Sequence, residues 1–173
     1  MTTVEDAARH RMVERRGIDE AQLTAIAAKL APQLVRGGAI HLVGELGAGK
    51  TTFARALLAS LGVDARIKSP TYSLIESYPV GDLTIHHLDL YRIAEAGELE
   101  WLGLADLMVD PYLLLVEWPE HAREALPKPD LIVRLAHAPA SRDVVLEAST
   151  ARAARWFQEL RHEGQPTTAG LST

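Results

Sequence analysis

The run GELGAGKTT at residues 44–52 constrains the fold of this chain more than any other feature. It matches the pattern G-x-x-x-x-G-K-[ST] at every fixed position. An apolar stretch of strand length, AIHLV at residues 39–43, precedes it, and residues 51–61 repeat apolar positions at helical spacing before Gly62. Strand, glycine-rich loop and helix, in that order, form the context in which this pattern binds phosphate. The sequence therefore predicts a nucleotide-binding α/β domain.

The residue types of this loop suit the binding of phosphate groups. Glycines let consecutive backbone N–H groups point into one anion-sized nest, and the N-terminus of the following helix adds its positive end. Lys50 is expected to reach the β- and γ-phosphates, and the Thr51 hydroxyl to ligate Mg²⁺. The predicted nucleotide-binding residues are Glu45, Leu46, Gly47, Ala48, Gly49, Lys50, Thr51 and Thr52.

The rest of the chain alternates helical and strand patterns. Helices are predicted over residues 18–35, where Asp19 and Gln22 resemble a capping box, and over residues 98–108 and 150–161. Strands are predicted over residues 71–78 and 83–90, joined as a β-hairpin by residues 79–82, and over residues 112–116, 131–135 and 144–146. These patterns predict an α/β, P-loop NTPase-like three-layer fold with a mainly parallel mixed sheet and a β-hairpin insertion.

Length and composition are those of one globular domain. The chain has 173 residues, of which 47% are apolar and 24% charged. We expect an N-terminal extension at residues 1–16, a single domain at residues 17–161, and a disordered tail at residues 162–173. A net charge of −5 disfavours autonomous binding of tRNA or DNA. The lack of cysteine excludes disulfides, thiolate zinc sites and cysteine nucleophiles.

No secretory or membrane-spanning segment is recognisable. The first residues carry charges throughout and no apolar core, so they do not form a signal peptide. No run approaches the roughly 18 apolar residues that cross a bilayer. We therefore expect a soluble, cytoplasmic protein without a membrane partner.

Two acidic residues are candidates for the metal site. Asp89 lies at the end of the second hairpin strand, and Glu117 directly follows the apolar run YLLLV. A carboxylate at a strand end points toward the side where open α/β sheets bind ligands, and a P-loop enzyme needs such a group near its metal. Each residue alone is also compatible with a solvated loop acid or a helix cap.

Other residues near these strands are less decisive. Ser69-Pro70-Thr71 occupies the position of a phosphate-sensing switch, although plain turn chemistry fits its spacing equally well. Trp118 beside Glu117 is a candidate lid or nucleotide contact. Residues 127–130, PKPD, lack the asparagine of the guanine motif N-K-x-D, so adenine is favoured.

Taken in order, these motifs resemble the TsaE family of bacterial P-loop ATPases, which act in tRNA threonylcarbamoyladenosine formation. The matching motifs are GELGAGKTT, SPTY at residues 69–72, HLDLYR at 87–92, LG at 102–103 and EWPE at 117–120. The family usually has Asp at the position of Glu45. Its members usually begin with a short strand, whereas the residues before Gly17 read as helical and charged.

The resemblance implies an ATPase that is weak alone and works with the TsaD–TsaB pair, contacting tRNA mainly through that complex. It implies that Lys50 and the loop amides hold phosphates, and that Thr51, Asp89 and Glu117 form the metal and water site. Of these residues, Glu117 is expected to orient the attacking water. The implied switch and partner-coupling residues are Ser69, Thr71, Tyr91, Arg92 and Trp118.

Two other functions are compatible with the loop alone. A small-molecule kinase needs an acceptor site and a closing lid with arginines. Arg123, Arg134 and Arg142 are scattered, and no long lid insertion is visible. A nucleotide-sensing module with negligible turnover is the third possibility. For adenine, the candidate contacts are residues 18–23 and Arg142.

Overall fold

The computed structural model describes residues 11–157 and Leu160, apart from residues 65, 96 and 110. The described strands are β1 (Met12–Ile18), β2 (Gly38–Val43), β3 (Ile75–Val80), β4 (Leu83–Asp89), β5 (Tyr112–Glu117), β6 (Leu131–Ala138) and β7 (Ser141–Ala148). The described α-helices are α1 (Glu20–Leu30), α2 (Lys50–Ser60), α3 (Glu98–Trp101), α4 (Leu104–Leu107) and α5 (Ala151–Arg155). Two 3-10 turns cover Ala31–Leu34 and Pro119–Ala122.

These strands form one mixed sheet in the order β1-β7-β6-β2-β5-β4-β3. The central strands β6, β2, β5 and β4 are parallel to one another, whereas β1, β7 and β3 run antiparallel at the two sides. Parallel strands end at the same edge of a sheet, so the last residues of β2, β4 and β5 lie close together at that edge. The predicted fold class is confirmed, including the hairpin formed by β3 and β4.

Apolar residues pack on both faces of the sheet, because successive strand side chains point to opposite sides. The first cluster places α1, α2 and α5 against one face, and the second places α3 and α4 against the other. Fully buried members of the first cluster include Leu23, Leu42, Phe53, Leu57 and Leu115. Members of the second include Leu88, Leu99, Leu104, Leu114 and Val116.

The predicted capping box of α1 is confirmed. The Asp19 carboxylate accepts a hydrogen bond from the Gln22 amide at 2.7 Å, and the Gln22 side chain accepts one from the Asp19 amide at 3.0 Å. The helix ends at Leu30, earlier than the predicted residue 35, and continues as a 3-10 turn. Pro32 in this turn lacks the N–H that another α-helical bond requires.

The helical expectation for the residues before Gly17 is wrong where the structure describes them. Residues Met12–Ile18 form strand β1, which pairs antiparallel with β7 and buries Val13 and Ile18. Charged residues at positions 14–16 conceal the strand pattern, and such charges are typical of an edge strand. The proposed domain boundary at residue 17 stays a prediction.

Two further elements differ from their predicted extents. The helix predicted over residues 98–108 is interrupted at Gly103, whose φ of +66° is left-handed and cannot continue a helix. The strand predicted from residue 71 begins at Ile75, which pairs with Leu88 one residue before β4 ends. The preceding residues form a turn in which the Leu74 amide donates to the Pro70 carbonyl at 2.7 Å.

Parts of the predicted ends fall outside the described residues. These parts are residues 1–10 of the extension, residues 158, 159 and 161 of the closing helix, and the tail at residues 162–173. Where it is described, the closing helix is capped by Thr150, whose side chain accepts from the Ala153 amide. None of the helices in the described part of the chain has the length and apolar character needed to span a bilayer.

His41 is a buried polar residue in the middle of β2, with 7% of its surface exposed. Burial, reinforced by the nearby charge of Arg123, lowers the pKa of His41 from 6.5 to about 4. The folded protein therefore holds this imidazole neutral over a pH range in which the unfolded chain takes up a proton.

We predict that the stability contributed by neutral His41 is present above about pH 6.5 and is lost as the pH falls toward 4. The two pKa values correspond to about 3 kcal/mol over this interval. Urea denaturation of the wild type and of His41→Leu at about pH 7 and about pH 4.5 measures this change in unfolding free energy. The variant should lose less stability on acidification. Equal losses in the two proteins would contradict the assignment.

Candidate nucleotide site

The carboxyl ends of β2, β4 and β5 meet the start of α2 around a cleft of about 300 Å³. Strand β2 runs directly into the glycine-rich loop, β4 ends at Asp89 and β5 ends at Glu117. The cleft is lined by Leu46, Gly47, Gly49, Lys50, Thr51, Thr52, Thr71, Asp89, Tyr91, Arg92, Glu117 and Trp118. The structure thus brings the loop, both strand-end acids and most of the predicted switch residues to one place.

The loop is closed by its own lysine. The Lys50 ammonium donates to the carbonyl oxygens of Gly44 at 2.5 Å and Glu45 at 2.8 Å. Gly49 has a φ of +109°, and the end of the flexible Arg142 side chain lies close to it. The backbone conformation is what favours glycine at position 49.

The two predicted acids lie side by side on adjacent strands. Asp89 and Glu117 are register partners in the parallel pairing of β4 with β5. One Glu117 oxygen accepts a hydrogen bond from the Thr51 hydroxyl at 2.8 Å, and the other lies 2.8 Å from His87 Nε2. Glu117 is almost fully buried, so these contacts supply the hydrogen bonds that a buried carboxylate needs.

Asp89 connects the site to the segment that precedes β3. Its carboxylate accepts from the Thr71 hydroxyl at 3.1 Å and from the Tyr91 amide at 3.1 Å. The Ser69 and Thr71 hydroxyls are 2.7 Å apart. The predicted switch residues Ser69 and Thr71 are therefore in hydrogen-bond contact with a predicted metal-site acid.

Trp118 covers the loop lysine. Its φ of +58° places a bulky residue in the left-handed region, which is strained for any side chain but glycine. This turn directs the indole ring back over the cleft, with Lys50 Nζ 3.8 Å from the ring centroid. Tyr91 and His121 pack against the same ring, at centroid distances of 5.0 Å and 5.7 Å.

The cleft lowers the proton affinity of its lysine. Burial lowers the pKa of Lys50 from its ordinary value, and the carboxylates of Glu117, Glu120 and Asp89 act in the opposite direction. The Lys50 ammonium is therefore held by two carbonyl oxygens beneath an aromatic ring, and a phosphate group is a stronger, charge-assisted acceptor for it than a carbonyl oxygen.

Several contacts of the site were not predicted from the sequence. His87 was not assigned to the site, although its position two residues before Asp89 on a strand places it on the same face of the sheet. The His137 ring lies 3.0 Å from the Leu46 carbonyl oxygen, and Arg92 stacks over Tyr72 at 4.5 Å. His86 points to the opposite face of the sheet, because adjacent strand residues alternate, and pairs with Ser77 at 2.8 Å.

A parallel-centred sheet, a glycine-rich loop between β2 and α2, and strand-end acids define a P-loop NTPase-like α/β protein. The family model "Threonylcarbamoyl adenosine biosynthesis protein TsaE" matches residues 18–144. This match covers most of the chain, and the chain belongs to the TsaE family.

Named relatives agree with this assignment. The tRNA threonylcarbamoyladenosine biosynthesis protein TsaE of Haemophilus influenzae is 40% identical over 111 residues, covering 64% of this chain and 70% of the relative. The Bacillus subtilis protein of the same name is 35% identical over 123 residues, covering 71% and 77%. The crystal structure of Bacillus subtilis YdiB superimposes with a TM-score of 0.69 at 27% identity, covering 90% of this chain and 97% of that one.

The contact between His87 and Glu117 leads to a stability prediction. Unfolding free energies of His87→Leu, Glu117→Ala and the double variant should show a coupling of about 1 kcal/mol or more, because each side chain satisfies the other in a buried setting. His86→Leu is the matched control, since His86 lies on the opposite face. In the double-mutant cycle of His86→Leu with Glu117→Ala, the changes in unfolding free energy should add within about 0.5 kcal/mol. Equal coupling in both cycles would refute the specific contact.

Proposed function

We propose that the chain is the ATP-hydrolysing component of a system that forms tRNA N6-threonylcarbamoyladenosine in the cytoplasm. In this proposal, turnover of Mg·ATP resets a TsaD–TsaB complex between rounds of modification. Membership of the TsaE family supports the pathway. The relatives in Haemophilus influenzae and Bacillus subtilis carry names that refer to the same tRNA modification.

One observation carries the hydrolytic part of the proposal. Lys50, Thr51, Asp89 and Glu117 come from three separate elements and line a single cleft. In a P-loop enzyme these residue types supply a phosphate-binding cation, a metal-binding hydroxyl and carboxylates for the metal and the water. A purely structural role does not account for burying two carboxylates and a lysine together at the end of a sheet.

The residues present suit a magnesium ion. Mg²⁺ prefers oxygen ligands and is commonly bound by one or two carboxylates together with substrate phosphates and water. Thr51 and Glu117 present oxygens 2.8 Å apart, and Asp89 lies beside Glu117 in the sheet register. Among the described residues, no group of three or more His, Cys, Asp or Glu side chains forms a complete metal site. A bound Mg²⁺ would neutralise the charge that develops on the phosphates.

The remaining steps rest on groups of the chain itself. Backbone N–H groups of the loop and the Lys50 ammonium hold the phosphates of ATP in place. Glu117 accepts a hydrogen bond from the attacking water and orients it toward the terminal phosphorus. His87 holds the Glu117 carboxylate in position, and the Thr51 hydroxyl would serve as an oxygen ligand of Mg²⁺. Lys50 exchanges the loop carbonyl oxygens for phosphate oxygens.

The segment around Thr71 is proposed to report the state of the nucleotide. Its hydroxyl bonds Asp89, so a change at the metal site alters the turn at residues 70–74. Large side chains at the mouth of the cleft are exposed: Tyr72 at 84%, Leu46 at 69% and Tyr91 at 45%. Together with Arg92 and Trp118 they form a partly apolar rim, which suits contact with a protein partner.

Adenine is proposed to lie near α1 and the β6–β7 hairpin. The Arg142 guanidinium of β7 approaches Gly49, whereas Leu23 of α1, which also packs beside Gly49, is fully buried in the core. A planar guanidinium beside the phosphate loop suits one face of a purine ring.

We predict that Glu117→Ala binds ATP but hydrolyses it at least about 100-fold more slowly, because the attacking water loses its positioning group. Lys50→Ala is the contrasting variant and should lose ATP binding, because it removes the phosphate-binding cation. Calorimetric titration with ATP and a phosphate-release assay separate the two effects. Turnover of Glu117→Ala within a few-fold of wild type would exclude the role given to Glu117.

A second prediction concerns the partners. ATP hydrolysis should increase when the TsaD–TsaB pair is added, and modification of tRNA beyond one round should require this protein. γ-Labelled ATP measures both the rate and the destination of the phosphoryl group. Transfer of label to a small molecule instead of water would favour a kinase. Hydrolysis unchanged by the pair would count against the resetting role.

A further inference from the structure

A cavity of about 470 Å³ lies on the face of the sheet opposite α1 and α2. Its floor is formed by His41 and Val43 of β2 and by Ile132 and Arg134 of β6. Its roof is the connection between β5 and β6, from Pro119 to Pro129. This volume exceeds the roughly 300 Å³ at which small-molecule sites begin.

The cavity lies where the crossover between β5 and β6 contains no α-helix. Parallel strands such as β5 and β6 need a crossover, which is usually an α-helix that covers the sheet. In this chain, residues 118–130 cross with only the 3-10 turn Pro119–Ala122 and a proline-containing loop. A loop of this kind cannot fill the space above β2 and β6 as helical side chains do.

The mouth of the cavity is cationic. The exposed charged side chains that line the cavity are Arg123, Lys128, Arg134 and one carboxylate, that of Glu124. Arg134 is 3.3 Å from Glu147, in a pair in which both side chains are about half exposed. Neither Arg123 nor Lys128 forms a salt bridge with any described residue. The cations at this mouth therefore exceed the carboxylates available to neutralise them.

The wall contains a polar group that packing alone does not explain. His41 is buried, and its Nε2 has no hydrogen-bond partner among the described residues. An unsatisfied buried polar group costs stability, so such a group in a natural fold calls for a reason. His41 lines the cavity, so this unsatisfied group borders the space that a ligand would occupy.

We propose that this cavity is a second ligand site, which takes a small organic anion with an apolar body and one carboxylate or phosphate group. The apolar body lies against Val43, Leu126, Ile132 and the prolines, and the anionic group lies at the mouth between Arg123 and Lys128. The site is separate from the nucleotide cleft, and this proposal does not depend on ATP hydrolysis.

The probes are benzoate and phenyl phosphate, with benzyl alcohol as the neutral analogue. Each is titrated into the wild-type protein while backbone amide shifts are followed by NMR. The anions should move the amides of His41, Val43 and Ile132, and should bind at least about tenfold more tightly than the alcohol. Comparing the two anions distinguishes a carboxylate site from a phosphate site.

Two variants locate the anionic group. Arg123→Glu with Lys128→Glu should weaken both anions by about tenfold or more. Arg16→Glu is the control, because it reverses an exposed arginine on strand β1, which does not line the cavity, and it should leave binding unchanged. Lys50→Ala removes the phosphate-loop cation, and anion binding should persist in it if the cavity is the site.

Three outcomes would overturn the proposal. They are the absence of amide shifts up to about 10 mM anion, equal affinity for benzyl alcohol, and loss of anion binding in Lys50→Ala with shifts confined to residues 44–52. The last outcome would show that the anions occupy the phosphate loop. Because these measurements involve no ATP turnover, their failure is distinguishable from failure of the proposed hydrolytic function.

Discussion

The buried carboxylate of Glu117 is the group on which the rest of the site depends. It ties α2 to the sheet through Thr51 and ties β5 to β4 through His87, with both contacts at 2.8 Å. A carboxylate this buried is costly unless both oxygens are hydrogen-bonded. The same bonds that make its burial tolerable also connect the first turn of α2 to the ends of β4 and β5.

The backbone conformation of Trp118 is related to the position of Glu117. Glu117 is the last residue of β5, and the next residue turns sharply in the left-handed region. That conformation costs of order 1–2 kcal/mol for a non-glycine residue. The strain is offset where the indole covers Lys50 and packs on Tyr91 and His121. A group at the site entrance that is held by partly compensated strain can move at small cost when a ligand offers Lys50 a better partner.

Much of this arrangement could be predicted from the sequence, because its signals are local. The loop pattern, the capping box of Asp19 and the apolar run before Glu117 each lie within a few consecutive residues. Strand β1 could not be recognised, because its identity comes from pairing with β7 rather than from its own charged residues. The prediction of one helix over residues 98–108 is wrong for a related reason. The left-handed Gly103 interrupts the helix despite the apolar periodicity on either side of it. The bond of His87 to Glu117 depends on strand register, which no short pattern encodes.

The nucleotide cleft and the proposed anion cavity meet at β2 and at the end of β5. Val43 lines the cavity and is followed directly by Gly44 of the phosphate loop, while Pro119 lines the cavity and directly follows Trp118. Both connections are covalent and one residue long. A ligand bound in one site therefore affects the backbone of the other site only if the ligand moves β2 or the turn at Trp118. Strand β2 is held by ladders on both sides, whereas the Trp118 turn is strained and leads into a loop. Any coupling between the two sites would accordingly pass through Trp118 rather than through the strand.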